Sequence, residues 1–484
     1  MVDFSGKFLY IIHAVFQIDK NSRLLYRNIE HNERKELPMK QDLTKGNIFS
    51  LIISFAIPLF VSNLFQQIYN LADTTIVGHI LGDQALAAVG SVSSIYNLLL
   101  SLCIGISSGC SILVAQAFGS GNDEQMKRNI AAALELILGV TAFLTLMGCL
   151  FMKPFMRLLK ISDSLFDQAY SYIIIITAGL LITAAYNAIS GILRALGNTV
   201  IPLVFLIISS LLNIGLDLLF ISRFSMGIRG AAYATLLAQL VSVILCALYV
   251  LRFCPQILPQ RRHITLDAGL LKRMFTMGMS MALMYAIVNV GSVILQMGIN
   301  GLGDNIIAAH VAARKITELC MMPVSTLSAT MTTFTGQNFG AGRMDRIRTG
   351  TRLAILMGFV WSTLLIIIMW IGSRFFIYGV TGSHNPAILD WGSRYLRINT
   401  PFYYALVVLC VIRNVLQGIS KQWITVVASL LEMLGKLVAI LFFVGPFGYL
   451  AICFCEPVTW IICCVPVLLV LVHTLYTNTS KREA

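Results

Sequence analysis

A series of long apolar segments is the feature that most limits what this chain can fold into. About twelve such segments follow Ile48, most of them as long as the roughly 20 residues that a helix needs to cross a bilayer. They cover 48–80, 84–117, 124–152, 165–194, 198–221, 229–253, 270–300, 304–338, 344–374, 386–417, 422–444 and 447–475. Only 12% of the residues are charged, against about 25% in an ordinary soluble domain. The pattern predicts an all-α polytopic membrane protein with twelve transmembrane helices.

The charged and metal-binding residue types exclude several functional classes. The net charge is +13, but the basic residues are scattered at the ends of apolar segments, so we expect no nucleic-acid partner. Eleven cysteines and seven histidines are equally dispersed and show no zinc spacing. No nucleophile motif or phosphate-binding loop is present. We therefore expect a protein that is not an enzyme and needs no cofactor.

Basic residues between the segments predict the topology. They concentrate in every second link, for example at Lys127, Arg128, Arg261 and Arg262, which places both termini in the cytoplasm of a cell-membrane protein. The opposite links, "GHILGDQ", "NGLGDN" and "VGPFG", contain no Lys or Arg. The link after the third segment is basic and is the main exception.

The chain contains an internal repeat. "LGDQALAAVG" from Leu81 resembles "LGDNIIAAHV" from Leu302, and "VAQAFGSGN" from Val114 resembles "TGQNFGAGR" from Thr335, at the same offset. An offset of six segments predicts two parallel, pseudo-symmetric lobes related by an axis along the membrane normal. We assign 47–254 to the N-lobe, 255–269 to a cytoplasmic linker, 270–475 to the C-lobe and 476–484 to a cytoplasmic tail. Residues 1–46 are assigned to an N-terminal extension, disordered or an artefact of the choice of start site.

Three long stretches resemble the multidrug and toxic compound extrusion (MATE) transporters of Gram-positive bacteria. They are "DLTKGNIFSLIISFAIPLFVSNLFQQIYNLADTTIVGHILG", "GILRALGNTVIPLVFLIISSLLNIGLDLLFI" and "AARKITELCMMPVSTLSATMTTFTGQNFGAGRMDRIRTG". The resemblance covers roughly residues 41–475. It implies two six-helix lobes in a V-shaped arrangement. It also implies export of an amphipathic, often cationic small molecule in exchange for H⁺ or Na⁺, with the protein as a monomer.

The resemblance also implies a cation-coupling site in the N-lobe. Its residues here are Asp73 and Tyr69 in the first segment, Asn187 in the fourth, Asn213 and Asp217 in the fifth, and Thr235 in the sixth. Pro58 is expected to kink the first helix. A second branch of the family uses an acid in the seventh segment, but that segment has none here and Asn289 is its only strongly polar residue.

Physical cost supports the same acids independently. A charged Asp in the middle of a membrane costs about 2.5–3.5 kcal/mol on insertion scales, so such residues are functional candidates by default. Oxygen atoms of Asp73, Asn213, Asp217 and Thr235 are suitable ligands for Na⁺. A buried carboxyl group can also hold a proton. The alternative is that both aspartates only brace helices, and Glu135 is interpreted as structural.

The remaining polar residues of the spans give weaker predictions. Lys315 with Glu318, and Glu432 with Lys436, have the spacing of ion pairs within one helix. Glu432, Gln67 and Asn289 are candidates for a substrate cavity. The alternative function is a flippase for lipid-linked precursors, which should place several cationic residues in its cavity. An ion channel is disfavoured by the two-fold repeat.

Overall fold

The computed structural model describes residues 41–264 and 267–480, with side chains to residue 475. The predicted extension up to residue 40 and the last residues of the predicted tail lie outside this part. The helices are α1 Ile48–Leu81, α2 Asp83–Gly119, α3 Asp123–Leu158, α4 Asp163–Ala178, α5 Leu180–Ala195, α6 Val200–Asp217, α7 Ile228–Phe253, α8 Ala268–Asn300, α9 Asp304–Gly340, α10 Met344–Thr381, α11 Pro386–Asn399, α12 Tyr403–Gly418, α13 Gln422–Val438, α14 Val444–Phe447 and α15 Tyr449–Ser480. No strand occurs in the described ranges.

Each of the twelve predicted segments corresponds to one helix or to a pair of consecutive helices. Ten of the described segments are long and apolar enough to cross a membrane on their own, and α4 with α5 forms an eleventh that bends by 44°. Helix α9 is 37 residues long but more polar, because it contains Arg314, Lys315, Glu318 and many Ser and Thr residues. The chain is a multi-pass membrane protein.

Side-chain caps explain where several helices begin. Asn47 accepts a hydrogen bond from Ser50 N at the start of α1, and Asn122 accepts one from Gln125 N at the start of α3. Asp267 accepts bonds from Gly269 N and from the next amide at the start of α8. These oxygens satisfy backbone donors that have no partner inside the helix.

The predicted repeat extends to irregular backbone features. A π-helical turn follows α6 at Leu218–Arg223, and another follows α13 at Ala439–Phe443, at the same offset as the sequence repeat. Gly227 and Gly448 precede α7 and α15 with φ of 58° in both cases, a conformation that favours glycine. Shared departures from regular helix are evidence that the two halves are copies of one unit.

We call α1–α7 the N-lobe and α8–α15 the C-lobe. The lobes contact each other most extensively along α2 and α8, where a Cβ on Gly109 would lie 2.5 Å from Gly278 Cα. The first part of α1 also crosses to the other lobe. Ile52, Phe55 and Leu59 pack in a buried cluster with C-lobe residues such as Met331 and Val415. The domain limits above remain a prediction.

Candidate functional site: paired acids in the N-lobe

Asp73 and Asp217 lie together in the N-lobe. Their carboxyl groups are within hydrogen-bonding reach of each other, although they come from α1 and from the last residue of α6. Asp217 is fully buried and Asp73 is half-buried. Two charged carboxylates that lie this close together repel each other unless a proton or a cation is bound between them.

Polar groups from neighbouring helices surround the pair. The Asn213 amide is oriented with its nitrogen toward Asp217, to which it donates a hydrogen bond of 3.0 Å, while its oxygen accepts from Thr235 N at 3.2 Å. The Tyr69 hydroxyl interacts with the side chain of Thr235. The structure therefore brings five of the predicted coupling residues together.

Each acid of the pair has one carboxylate oxygen that makes no hydrogen bond to the described residues. Oδ1 of Asp73 and Oδ1 of Asp217 are buried and have no hydrogen-bond partner in the described part of the chain. No Lys, Arg or His of residues 41–264 and 267–480 forms an ion pair with either acid. Buried anionic oxygens without partners are costly, so the arrangement suits a bound proton or a hard cation.

Asn187, the sixth predicted residue, lies in the wall of a cavity that neither acid lines. Its Nδ2 donates to Thr183 O at 2.9 Å, one turn earlier in α5. The cavity has a volume of about 120 Å³, and Tyr69, Asn213 and Thr235 also line it. The cavity thus connects the surroundings of the acid pair to α5.

The other predicted positions are placed as follows. Gln67 is exposed, and Gln66 rather than Gln67 lines the cavity. Asn289 in α8 donates to Ser101 Oγ at 3.1 Å and so bridges the two lobes. Pro58 is buried inside α1, which continues on both sides of it, so the kink remains a prediction.

Glu432 lies in a buried network of charges in the C-lobe. Its pair with Lys436, at 3.1 Å, confirms the predicted ion pair within α13, and Arg413 from α12 approaches its other oxygen at 3.2 Å. All three side chains are at most 12% exposed. Because both carboxylate oxygens are engaged, Glu432 is less available to a substrate than the sequence suggested.

The same network contains Glu456, which the sequence analysis missed. Arg314 Nη1 donates to Glu456 Oε1 at 2.6 Å, and the Tyr395 hydroxyl donates to Oε2 at 2.8 Å. The predicted pair of Lys315 with Glu318 is wrong, because Lys315 is exposed and Glu318 lies 3.6 Å from Arg314 instead. Glu456 is on α15 and Arg314 is on α9, so no short spacing in the sequence relates the two residues. Only the structure shows that they pair.

Glu135, interpreted as structural, is half-buried in α3. Both of its carboxylate oxygens are buried without a hydrogen-bond partner in the described residues.

Comparison with known proteins assigns the chain to a family. The model of the MatE family matches residues 58–219 and 280–444, one stretch in each lobe. The chain belongs to the MatE family. It is 26% identical over 393 residues to the probable multidrug resistance protein YpnP of Bacillus subtilis, covering 81% of this chain and 87% of YpnP. It is 24% identical over 404 residues to the FAD transporter of Shewanella oneidensis, covering 81% and 87% of the two chains.

A solved structure confirms the fold. A crystal structure of MATE in the bent conformation superimposes with a TM-score of 0.85 at 22% sequence identity, covering 91% of this chain and 98% of the other. The predicted fold is thereby confirmed, and this MatE protein is a membrane transporter of small molecules.

Proposed function

We propose that this MatE protein is a secondary active antiporter that exports amphipathic, cationic drugs or metabolites in exchange for H⁺ or Na⁺. The observation that carries the proposal is the pair of Asp73 and Asp217, whose carboxyl groups meet inside a membrane-spanning lobe with no basic partner in the described residues. A negative charge inside the membrane without a basic partner must be neutralised by a proton, an ion or a substrate that binds from solution.

Coupling follows from competition for these carboxyl groups. A proton or Na⁺ on the pair removes negative charge from the N-lobe, and a cationic substrate is favoured when that charge is present. A ligand shifts a conformational equilibrium only by its difference in affinity for the two states. We propose that the lobes rock against each other, so that the site faces the two sides of the membrane in turn.

Contacts between the lobes support a state closed at one end. Gln116, near the end of α2, bonds to Gly418 O at the end of α12, and Gln337, near the end of α9, bonds to Ala195 O at the end of α5. Ile257 of the linker packs against Ala195 and Ala117, so the linker lies at this same end. By the distribution of basic residues we assign this end to the cytoplasm, which makes the described state closed on the cytoplasmic side.

The flippase alternative is disfavoured by the C-lobe network. A flippase for a pyrophosphate-linked lipid needs several free cationic groups in its cavity, whereas Arg314, Arg413 and Lys436 are each within 4 Å of a carboxylate. We further propose that the protein acts as a monomer in the cell membrane, with both termini in the cytoplasm and no cofactor besides the coupling ion.

Transport in proteoliposomes tests the proposal. Purified protein is reconstituted, a cationic dye such as ethidium is loaded, and an inward H⁺ gradient or an inward Na⁺ gradient is imposed in separate samples. We expect one gradient to accelerate dye efflux and its dissipation by an ionophore to abolish the effect. Efflux that responds to neither gradient would contradict antiport.

A further inference from the structure

Three basic residues form a stripe at the end of α3, in the link that departs from the topology of the other loops. Lys153, Arg157 and Lys160 are spaced i, i+4 and i+7, so they lie on one face of the helix and of the turn that ends it. All three are exposed, and no carboxylate of the described residues lies within 4.0 Å of their charged groups. We call these residues the basic stripe. The protein itself does not neutralise their charge.

An exposed apolar stripe leads to these charges along the same face of α3. Phe143, Leu146 and Leu150 are between 56% and 61% exposed. Their spacing of three and four residues continues without a break to Lys153 and Arg157, so all five side chains lie on one face. Large apolar side chains exposed on a membrane-spanning helix face the lipid tails.

The length of α3 places the basic stripe in the leaflet opposite the linker. Glu124, in the first turn of α3, is hydrogen-bonded to His263 of the linker at 2.8 Å. At a rise of 1.5 Å per residue, Lys153 lies about 45 Å along the helix from Asp123. A bilayer is about 40–45 Å thick including its headgroups. The basic stripe therefore reaches the headgroups, and the apolar stripe lies at the level of the tails.

Local contacts hold the basic groups in place. Lys153 Nζ lies over the ring of Tyr170 in α4, 4.9 Å from its centroid. Lys160 has φ of 53° and donates its backbone N–H to Arg157 O at 2.9 Å. Helices that end in this conformation usually have glycine there, because other residues are strained. The third charge of the stripe is therefore present at a conformational cost.

The internal repeat provides a comparison within the same chain. The residues of α10 equivalent to the apolar stripe, Leu364, Ile367 and Ile371, are also exposed. Lys153 is equivalent to Arg374, which pairs with Asp390 at 2.6 Å. The position equivalent to Arg157 is a tyrosine. The two lobes thus share the apolar stripe, but only the N-lobe copy ends in unpaired positive charge.

We propose that the end of α3 binds an anionic phospholipid in the leaflet away from the linker. Its phosphate would lie on Lys153 and Arg157, with one acyl chain along the apolar stripe. Phosphatidylglycerol has one net negative charge, which suits this site. In phosphatidylcholine a quaternary ammonium group cancels that charge and would lie close to the basic stripe. The site is separate from the acid pair and does not depend on antiport.

Photo-cross-linking of lipids tests the proposal at the site itself. The full chain is reconstituted in phosphatidylcholine bilayers with a trace of a probe lipid that has a diazirine in one acyl chain. The headgroup of the probe is either phosphatidylglycerol or phosphatidylcholine, and mass spectrometry identifies the labelled peptides. We expect the phosphatidylglycerol probe to label residues 143–160 about fivefold more than the phosphatidylcholine probe, because one basic group near a membrane surface is worth about that factor. Residues 364–381 of α10 should show little preference.

Variants of the basic stripe assign the preference to its charges. In the double variant Lys153→Gln with Arg157→Gln, both probes should label residues 143–160 equally. Arg374→Gln is the matched control, because it removes an exposed charge at the equivalent position but should leave the preference at α3 intact. Equal labelling of α3 in the wild type, or a preference that survives in the double variant, would overturn the proposal. If the double variant does not fold, the comparison of α3 with α10 in the wild type still decides.

Two further outcomes separate lipid binding from other roles of these residues. Basic residues near the C-terminal end of a helix also stabilise it through the helix dipole. If that were their only role, labelling of α3 would not depend on the headgroup, and the proposal would fail. A preference abolished by inorganic phosphate, but not by chloride at equal ionic strength, would assign the site to a soluble anion and also reject the lipid. No ion gradient is needed, so failure of gradient-driven efflux would leave these results unchanged.

Discussion

Gln116 and Gln337, at equivalent positions in the two lobes, each donate a hydrogen bond to a backbone carbonyl near the end of a helix in the other lobe. Nε2 of Gln116 donates to Gly418 O at 2.8 Å, and Nε2 of Gln337 donates to Ala195 O, also at 2.8 Å. Each bond crosses from one lobe to the other at the end where the linker lies. The pseudo-symmetry of the fold thus creates a pair of contacts that hold this end closed.

Gln337 also fixes the segment that precedes α1. Its Oε1 accepts a hydrogen bond of 3.0 Å from the backbone of fully buried Leu43. We expect Gln337→Leu to increase amide hydrogen exchange of residues 41–47 by about fivefold, because a lost hydrogen bond of about 1 kcal/mol is worth that factor. Gln168→Leu, at an exposed position, is the control. Unchanged exchange in the Gln337 variant would show that this contact does not fix the segment before α1.

Two glycines permit the close approach of the lobes at the same end. A Cβ on Gly340 would lie 1.8 Å from Gln116 O, and a Cβ on Gly119 would lie 1.9 Å from Gln337 O. Since the obstructing atoms are backbone, Gly340→Ala should force the lobes apart and raise exchange at the ends of α2 and α9. Gly139→Ala has open space around its Cβ and should leave exchange unchanged. Identical exchange in both variants would argue that the lobes are not locked here.

The buried network of the C-lobe is predicted to stabilise the fold. Removing one partner of a buried pair costs about 3–5 kcal/mol, because the other charge is left uncompensated. We expect Glu456→Ala to lower the midpoint of thermal unfolding in detergent strongly, since it strands Arg314. Glu318→Ala is the matched control, because Glu318 is 67% exposed and lies 3.6 Å from the same arginine. Equal melting of both variants would mean that the network contributes little.

The helices could be predicted well because each apolar segment can be recognised from its own length and composition. Apolar length and flanking glycines place the limits of α1 and α9 within a few residues. The acid pair was also predictable, because an Asp inside an apolar segment is costly wherever it points. Glu456 was not singled out. Its role depends on whether a partner lies on a distant helix, and that partner is Arg314 on α9.

The most direct test of the central claim is gradient-driven dye efflux from proteoliposomes containing wild type, Asp217→Asn or Asp73→Asn. Asn keeps the shape of each side chain but cannot take up a coupling proton or carry the negative charge. Asp163→Asn, at an exposed position at the start of α4, is the matched control. We predict that efflux driven by H⁺ or Na⁺ is lost in both site variants, which remain expressed and folded, and persists in the control. Full gradient-driven efflux by Asp217→Asn would contradict it.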